Sequence, residues 1–277
     1  MELTDRLKRI VSYVDKGMRL ADIGCDHGYV PIYLVKEGIA SFALAMDINE
    51  DPLEKAKNNG LAYHISDSLD TRLSNGLEKL KPGEVDCVII AGMGGKLIET
   101  ILEASKNKLG TYKRLILSPH KDIESVRMKI AELKMSIIEE SMLYEDNHYY
   151  NFIVVNPQSI ESITEGLKVK GSKTEMDCLK DRLSNQVLGN TKKEKNNVIE
   201  KELLEFYEEK ELLDKICNKY GKILLMNKDQ CLRNQLNDVI PKLEILQQQL
   251  EVKKISKRVI ELGEEIEIGK KVLTWLS

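Results

Sequence analysis

The sequence predicts an α/β fold over residues 1–157 and a separate helical domain over residues 158–277. In the first part, short apolar runs bounded by Gly, Pro or Asp alternate with segments of helical periodicity. The runs lack the apolar–polar alternation of half-buried strands, as is typical of strands covered on both faces. Alternating strands and helices predict a doubly wound parallel sheet with right-handed crossovers.

The predicted strands and helices follow one another along the chain. Six apolar runs are predicted strands: RLADIG (19–24), SFALAMDI (41–48), LDTRLSNG (69–76), DCVIIAGMGG (86–95), RLILSPH (114–120) and YNFIVVNP (150–157). Four segments between them are predicted helices: VPIYLVKEG (30–38), DPLEKAKNNG (51–60), GKLIETILEAS (95–105) and IESVRMKIAELK (123–134). The opening segment is a further predicted helix, because its apolar residues from Leu3 to Val14 recur at helical spacing and Gly17 ends it.

Two apolar seams at heptad spacing mark the second half of the chain. They run from Ile199 to Tyr220 and from Leu232 to Leu250. With the short link GKILLMNKDQ between them, they predict two helices paired as an antiparallel coiled coil. Pro241 lies inside the second seam and predicts a kink or a restart of that helix. Residues 158–190 are polar and carry no assignment.

Composition indicates a soluble globular protein with no metal site. The net charge is −3, so contact with nucleic acid would need a local basic patch. The five cysteines show no C-x-x-C pair and no accompanying His cluster, and such scattered thiols are typical of the reducing cytosol. No apolar run approaches the ~20 residues that span a bilayer. We expect a cytoplasmic monomer or weak oligomer that does not contact a membrane.

The stretch GCDHGY (24–29) lies where the first strand meets the first crossover helix. This loop is at the carboxyl edge of the sheet, where doubly wound folds bind ligands. Gly24 allows a sharp turn, and Gly28 lets the helix start approach a ligand. A dinucleotide site would use G-x-G-x-x-G to seat a pyrophosphate, which the carboxylate of Asp26 would repel. S-adenosylmethionine carries a sulfonium and an amino group that Asp22 and Asp26 suit, so we favour it over NAD.

The ends of the next three strands extend this candidate cofactor site. Asp47 ends the second strand, where a carboxylate accepts hydrogen bonds from ribose hydroxyls in either cofactor class, and Ile48 is placed to pack on an adenine. The third and fourth strands add Ser74, Asn75 and Gly76, and then Ala91, Gly92 and Met93. Each residue alone is more simply a helix cap or a turn residue. Their convergence at one sheet edge carries the prediction.

Four blocks of sequence carry a family resemblance. They are ADIGCDHGYVPIYL (21–34), RLSNGLEKLKPGEVDCVIIAGMGGKLI (72–98), LILSPH (115–120) and YEDNHYYNFIVVNP (144–157). Together they resemble the bacterial TrmK family, the tRNA (adenine(22)-N1)-methyltransferases, closely over residues 3–157 and in outline beyond. The resemblance implies an S-adenosylmethionine-dependent Rossmann-like domain and a C-terminal coiled coil that helps to hold tRNA.

The chain departs from the family pattern at three places. The third-strand block is usually Gly-Asp-Gly and here is Ser74-Asn75-Gly76, in which Asn75 can still hydrogen-bond adenine. The block after the fifth strand is usually Gln-Pro-Asn and here is Ser118-Pro119-His120. That block is placed near the substrate base, so the departure bears on target choice. The tail is also longer than the family pattern, mainly across residues 158–200.

The resemblance implies methyl transfer to an in-plane nitrogen of adenine. The base must leave its stack to reach the cofactor, and positioning supplies much of the rate. A general base for the N6 proton is not obligatory. We predict His27, His120 and Tyr150 as the catalytic contacts, with a purely loop-ordering role as the alternative for each. Tyr149 is the alternative to Tyr150 as the stacking side chain.

Other functions stay open at this stage. The basic clusters at 191–195 and 252–258 are either solvated helix faces or, by the family resemblance, contacts to the tRNA backbone. A methyltransferase could act on another RNA position, a protein or a small molecule, although a small molecule needs no long helical arm. The coiled coil could also be a partner-binding module on a domain without catalysis.

Overall fold

The computed structural model describes residues 1–158, 190–253 and 255–277. They divide into two compact units. The first contains Met1–Glu140 and 150–158, and the second contains Ser141–Tyr149, 190–253 and 255–277. Within these described ranges no helix is long and apolar enough to cross a membrane. The predicted domain boundary after residue 157 stays a prediction.

A seven-stranded mixed sheet contains the predicted strands. The strands are β1 Arg19–Ile23, β2 Phe42–Asp47, β3 Leu69–Leu73, β4 Cys87–Met93, β5 Arg114–Pro119, β6 Ser136–Glu145 and β7 His148–Asn156. Their order is β3-β2-β1-β4-β5-β7-β6, and the pairs from β3 to β5 are parallel. The strand order reverses between β1 and β4, which is where such sheets bind ligands. The predicted doubly wound sheet is thereby confirmed for β1 to β5.

The helices of the first unit precede, connect or follow these strands. They are α1 Asp5–Val11, α2 Tyr29–Lys36, α3 Glu50–Ala62, α4 Gly95–Ala104, α5 Lys106–Leu109 and α6 Ile123–Glu132. Branched apolar residues of β1, β2, β4 and β5 form one buried core with α4 and α6. The opening helix is shorter than predicted, because it ends at Val11 and Gly17 lies in a later turn with a φ of 87°.

The part of the sheet beyond β5, formed by β7 and β6, differs from the sequence prediction. YNFIVVNP was predicted as another parallel strand, but β7 runs antiparallel to β5. It does so because β6, which the sequence reading missed, precedes it through a two-residue turn. Asp146 and Asn147 in that turn have φ values of 50° and 61°, the geometry of a type I′ hairpin turn. Polar residues such as Glu139 within β6 hid its strand pattern.

The second unit is helical in its described residues beyond the hairpin. Its helices are α7 Asn190–Tyr207, α8 Lys210–Tyr220, α9 Lys222–Met226, α10 Gln230–Val252 and α11 Ser256–Leu276. The first predicted seam is therefore two helices, with a break at Glu208, whose φ is 62°. The predicted link contains α9, and α10 continues through Pro241 without restarting.

The extended helix pair of this unit is α10 with α11, not the predicted pair of seams. The pair is antiparallel, because Gln247 Nε2 donates to the carbonyl oxygen of Val259 at 3.3 Å while Lys270 Nζ lies 2.6 Å from Glu244 Oε1. The prediction was wrong because it stopped at Leu250 and missed the last helix. Coiled-coil packing in this helical domain stays a prediction. The unassigned stretch 158–190 lies almost wholly outside the described residues.

Candidate active site

A buried carboxylate stands at the carboxyl end of β1. Asp22 is 6% exposed, and no described group donates a hydrogen bond to its carboxylate. Burial, together with the negative charges of Asp47 and Asp26, raises the pKa of Asp22 to about 7. Buried polar groups almost always have a partner, so an unpartnered carboxylate at this edge fits a ligand that brings a cation or a hydrogen-bond donor.

The loop after β1 is held in one backbone conformation. The N–H groups of Gly24 and Cys25 donate to the carbonyl oxygen of Met46 at 2.8 and 3.1 Å. Gly24 and Gly28 have φ values of 73° and 74°, which side-chain-bearing residues rarely adopt. A Cβ on Gly24 would lie 2.4 Å from Met93 Cε, so the β1 and β4 ends approach closely. The structure thus brings these predicted residues together.

In this loop Asp26 is exposed and His27 is partly exposed. His27 Nε2 lies 3.3 Å from Asp26 Oδ1, and the His27 ring lies 5.5 Å from the Tyr29 ring. Asn59 Nδ2 donates to the His27 carbonyl oxygen at 3.1 Å. Among the described residues, His27 therefore makes its contacts with the loop, α2 and α3 rather than with His120 or Tyr150. Its predicted catalytic role stays a prediction.

The β2 end presents a second carboxylate. Asp47 is 9% exposed, and its Oδ1 accepts from the Asn49 N–H at 2.9 Å. No described group donates to its Oδ2, which leaves that oxygen for a ligand. Ile48 beside it is 62% exposed, as expected of a side chain that packs on a bound ring.

The Ser74–Gly76 turn follows β3 directly. The N–H of Ser74 donates to the Asp47 carbonyl oxygen at 2.8 Å, which joins the β2 and β3 ends. The Ser74 hydroxyl is buried and bonds the turn itself, donating to Gly76 at 3.0 Å and accepting from Lys79 at 3.2 Å. Asn75 is exposed and donates to Glu78 Oε1 at 3.0 Å. Ser74 therefore stabilises the turn, and Asn75 is the side chain of the turn that is accessible to a ligand.

Lys108 supports the same turn and was missed by sequence reasoning. Its Nζ donates to the carbonyl oxygens of Leu77 and Leu80 at 2.6 and 2.8 Å. Burial lowers the pKa of Lys108. A lysine in a short polar helix gives no signal in the sequence that it caps a turn about thirty residues earlier in the chain.

The β4, β5 and β7 ends form the other side of the site. A bulge between Ala91 and Met93 leaves Gly92 out of the β4–β5 ladder, with a φ of 78°. The N–H of His120 donates to the Met93 carbonyl oxygen at 2.9 Å. The His120 and Tyr150 rings lie 6.1 Å apart. Two of the three predicted catalytic side chains thus meet beside Gly92.

Tyr149 and Tyr150 make separate contacts, as alternation along a strand requires. The Tyr149 hydroxyl donates to Asp238 within the second unit. Tyr150 belongs to the first unit and meets His120 there. Of these two tyrosines, Tyr150 is therefore the one that lies beside the β4 and β5 ends.

Asp22 makes the stability of the fold depend on pH. Because its pKa of about 7 exceeds the ordinary value of 3.8, the folded protein holds a proton that the unfolded chain has lost between these values. The free energy of unfolding therefore decreases with rising pH by up to about 1.4 kcal/mol per pH unit in that window and levels off above it. Urea denaturation at several pH values should show this decrease in the free energy of unfolding for the wild type and not for Asp22→Asn. Identical pH profiles for the two proteins would contradict the assignment.

Comparison with known proteins identifies the family. A family model described as a methyltransferase domain matches residues 3–153. The tRNA (adenine(22)-N(1))-methyltransferase of Bacillus subtilis is 38% identical over 173 residues, which are 61% of this chain and 71% of that protein. The chain belongs to the tRNA (adenine(22)-N1)-methyltransferase family. The family resemblance predicted from the sequence is thereby confirmed.

Solved structures of similar proteins match nearly the full length of the chain. The crystal structure of the B. subtilis tRNA methyltransferase TrmK superposes with a TM-score of 0.72 at 25% identity, covering 98% of this chain and 99% of that one. A Streptococcus pneumoniae structure, solved in complex with S-adenosyl-L-methionine, gives a TM-score of 0.71 at 25% identity, covering 98% and 100%. Both units of this family member therefore have counterparts in known structures.

Proposed function

We propose that this protein transfers a methyl group from S-adenosylmethionine to N1 of adenine 22 in tRNA. The observation that carries the proposal is the buried, unpartnered carboxylate of Asp22 at the sheet edge of a chain from this family. The B. subtilis relative supports the substrate and the position. The S. pneumoniae structure supports the cofactor.

The residues at the edge fit this cofactor. Asp47 Oδ2 can accept from both ribose hydroxyls, Ile48 can pack on the adenine, and Asn75 can hydrogen-bond its edge. Asp22 and the backbone of the Gly24–Gly28 loop can hold the amino-acid end, whose ammonium group complements a buried carboxylate. When bound, S-adenosylmethionine supplies an electrophilic methyl group on a sulfonium.

The chain's own residues then position the target base. The His120–Tyr150 pair beside Gly92 offers an aromatic surface for a base that has left its stack. As N1 gains the methyl group, the base becomes cationic and is neutral again once N6 loses a proton. His120, which contacts Tyr150, is the first candidate to accept that proton, and His27 is the alternative. Positioning of N1 in line with the methyl group supplies most of the rate in this scheme.

The helical unit is the proposed tRNA-binding arm. In the cluster at 252–258, Lys253, Lys257 and Arg258 are exposed around the turn between α10 and α11. That cluster is therefore a turn and not a continuous helix face, contrary to the simpler sequence interpretation. The side chains of the cluster at 191–195 lie outside those described. A cytoplasmic location and a monomeric or weakly oligomeric state stay predictions.

The test is methyl transfer from labelled S-adenosylmethionine to an unmodified bacterial tRNA transcript, with the methylated nucleotide mapped. We expect methyl on N1 of adenine 22 and none on a transcript with guanine at that position. Methyl on another nucleotide would move the specificity to the Ser118-Pro119-His120 block. Cofactor binding without transfer to any tRNA would favour the non-catalytic alternative.

A further inference from the structure

An arginine of the first helix reaches the substrate side of the candidate site. Arg6 lies on α1, with its Cζ 5.0 Å from the centre of the Tyr150 ring. A Cβ built on Gly92 would lie 3.9 Å from an Arg6 terminal nitrogen and 3.7 Å from His120 Nε2. A guanidinium and an imidazole thus lie beside Gly92, and the Tyr150 ring contacts both of them.

The sheet register explains why Tyr150 belongs to this group. Leu115 pairs with Val155 and Leu117 with Ile153 in the antiparallel β5–β7 ladder. The same register continued by three residues sets Tyr150 opposite His120, in agreement with the ring separation of 6.1 Å. Tyr150 is therefore fixed relative to the end of β5, and the Arg6 guanidinium lies over its ring.

The charges of the site are divided between its two sides. The carboxylates Asp22, Asp26 and Asp47 stand on the β1 and β2 ends, where they suit a cationic cofactor. Arg6 stands instead beside the β4, β5 and β7 ends. A guanidinium beside the proposed position of the base is placed to contact an anionic group of the substrate. The anions of an RNA substrate are its phosphates, which the guanidinium fork matches in geometry.

We propose that Arg6 binds a backbone phosphate next to the target adenosine and thereby positions the base against the His120–Tyr150 pair. The inference rests on the proposed function, because it assigns a substrate contact for that reaction. Arg6 acts as a substrate-binding residue here, and its contact with Tyr150 keeps the guanidinium in place. The simpler alternative is that Arg6 only orients the Tyr150 ring.

The test compares Arg6→Met, which keeps the aliphatic stem and removes the charge, with Lys8→Met. Lys8 is an exposed cation on the same helix, two residues away and so on another face. We expect Arg6→Met to raise the KM for tRNA about tenfold and to reduce the slope of log KM against log salt by about 1. The affinity for S-adenosylmethionine, measured by calorimetry, should not change. Lys8→Met should retain the wild-type salt slope. Arg6→Lys should recover most of the slope that Arg6→Met loses.

A second measurement uses the wild-type protein and remains informative if Arg6→Met fails to fold. A single neutral methylphosphonate, with a 2′-deoxy sugar on its 5′ side, is placed on either side of adenine 22. At one of the two positions the methylphosphonate should weaken tRNA binding to the wild type. The same modified tRNA should bind a folded Arg6→Met variant as tightly as unmodified tRNA does.

The outcomes separate this inference from the proposed function. Absence of tRNA methylation by the wild type would overturn the proposed function itself. Methylation at adenine 22, with an unchanged salt slope in Arg6→Met and no effect of either methylphosphonate, would overturn only the phosphate contact. A lower kcat at an unchanged salt slope would mean that Arg6 merely orients Tyr150.

Discussion

Replacement of Gly95 by alanine is expected to lower the free energy of unfolding by about 3 kcal/mol. A Cβ at this position would lie 2.3 Å from the Asp122 carbonyl oxygen and 2.6 Å from that of Lys121. Both atoms belong to the backbone, so no side-chain rotation relieves the overlap. Asp122 itself has a φ of 53°, and the Gly95 N–H donates to the Lys121 carbonyl oxygen at 2.8 Å. Urea denaturation followed by circular dichroism measures the loss.

The matched control is Gly110→Ala. Gly110 has a helical φ of −64°, and the nearest atom to a Cβ there is 3.9 Å away. This substitution should be neutral or should stabilise the protein by about 0.4–1 kcal/mol, because it reduces the freedom of the unfolded chain. If the two variants lose equal stability, the close approach of the α4 start to the turn after β5 is wrong.

The same variant links the fold to the site. The turns that Gly95 joins also carry Met93 and His120, which share a hydrogen bond of 2.9 Å. Displacement of these turns by a few tenths of an ångström changes how a base would lie against His120. We therefore expect Gly95→Ala, assayed below its melting temperature, to lose more methyl transfer than affinity for S-adenosylmethionine.

The placement of the candidate cofactor-binding residues could be predicted because each of them lies where a buried strand stops. Asp22 and Asp47 stand out in the sequence, since a carboxylate at the end of an apolar run has little reason to be there without a ligand or a cap. Parallel strands bring their carboxyl ends to one edge whatever the loop lengths are. The sequence order alone therefore predicts that these side chains meet.

The residues of the proposed substrate side could not be predicted in the same way. Arg6 is one of several charged residues on an amphipathic helix, and its approach to Gly92 depends on how α1 lies against the sheet. Tyr150 reaches the site only because β7 is antiparallel, and that follows from β6, whose glutamates hide the strand pattern. Long-range contacts of this kind are set by tertiary packing and leave no local periodicity.

The helical unit shows what heptad spacing in a sequence can and cannot predict. Ile199 to Tyr220 keeps heptad spacing across Glu208, yet the chain adopts a positive φ there and begins a new helix. A hydrophobic pattern specifies which face of a helix is buried, but it does not require the helix to be continuous. Here α7 and α8 are separate helices, and both bury apolar residues in the same core. Spacing therefore predicts burial more securely than it predicts helix continuity or the partner helix.

Replacement of Asp47 by alanine is expected to weaken cofactor binding about 100-fold while leaving the protein folded. Each hydrogen bond from a ribose hydroxyl to a carboxylate contributes about 1.5 kcal/mol, and two such bonds correspond to a factor of about 100 in Kd. Calorimetry with both S-adenosylmethionine and S-adenosylhomocysteine measures the effect. The loss should be equal for the two ligands, because they share the ribose and differ at the sulfur.

Asp67→Ala is the matched control for this experiment. Asp67 is an exposed carboxylate just before the amino end of β3, whereas Asp47 stands at the carboxyl end of β2. Its removal changes the net charge by the same amount and alters none of the strand ends that form the site. Asp47→Asn should lie between the wild type and Asp47→Ala, since its amide keeps one acceptor for Asn49 but donates at the other position. If the folded Asp47→Ala variant binds S-adenosylhomocysteine as tightly as Asp67→Ala does, the ribose is held elsewhere. The cofactor would then not lie across the β1 and β2 ends, and the proposed role of Asp22 would fail with it.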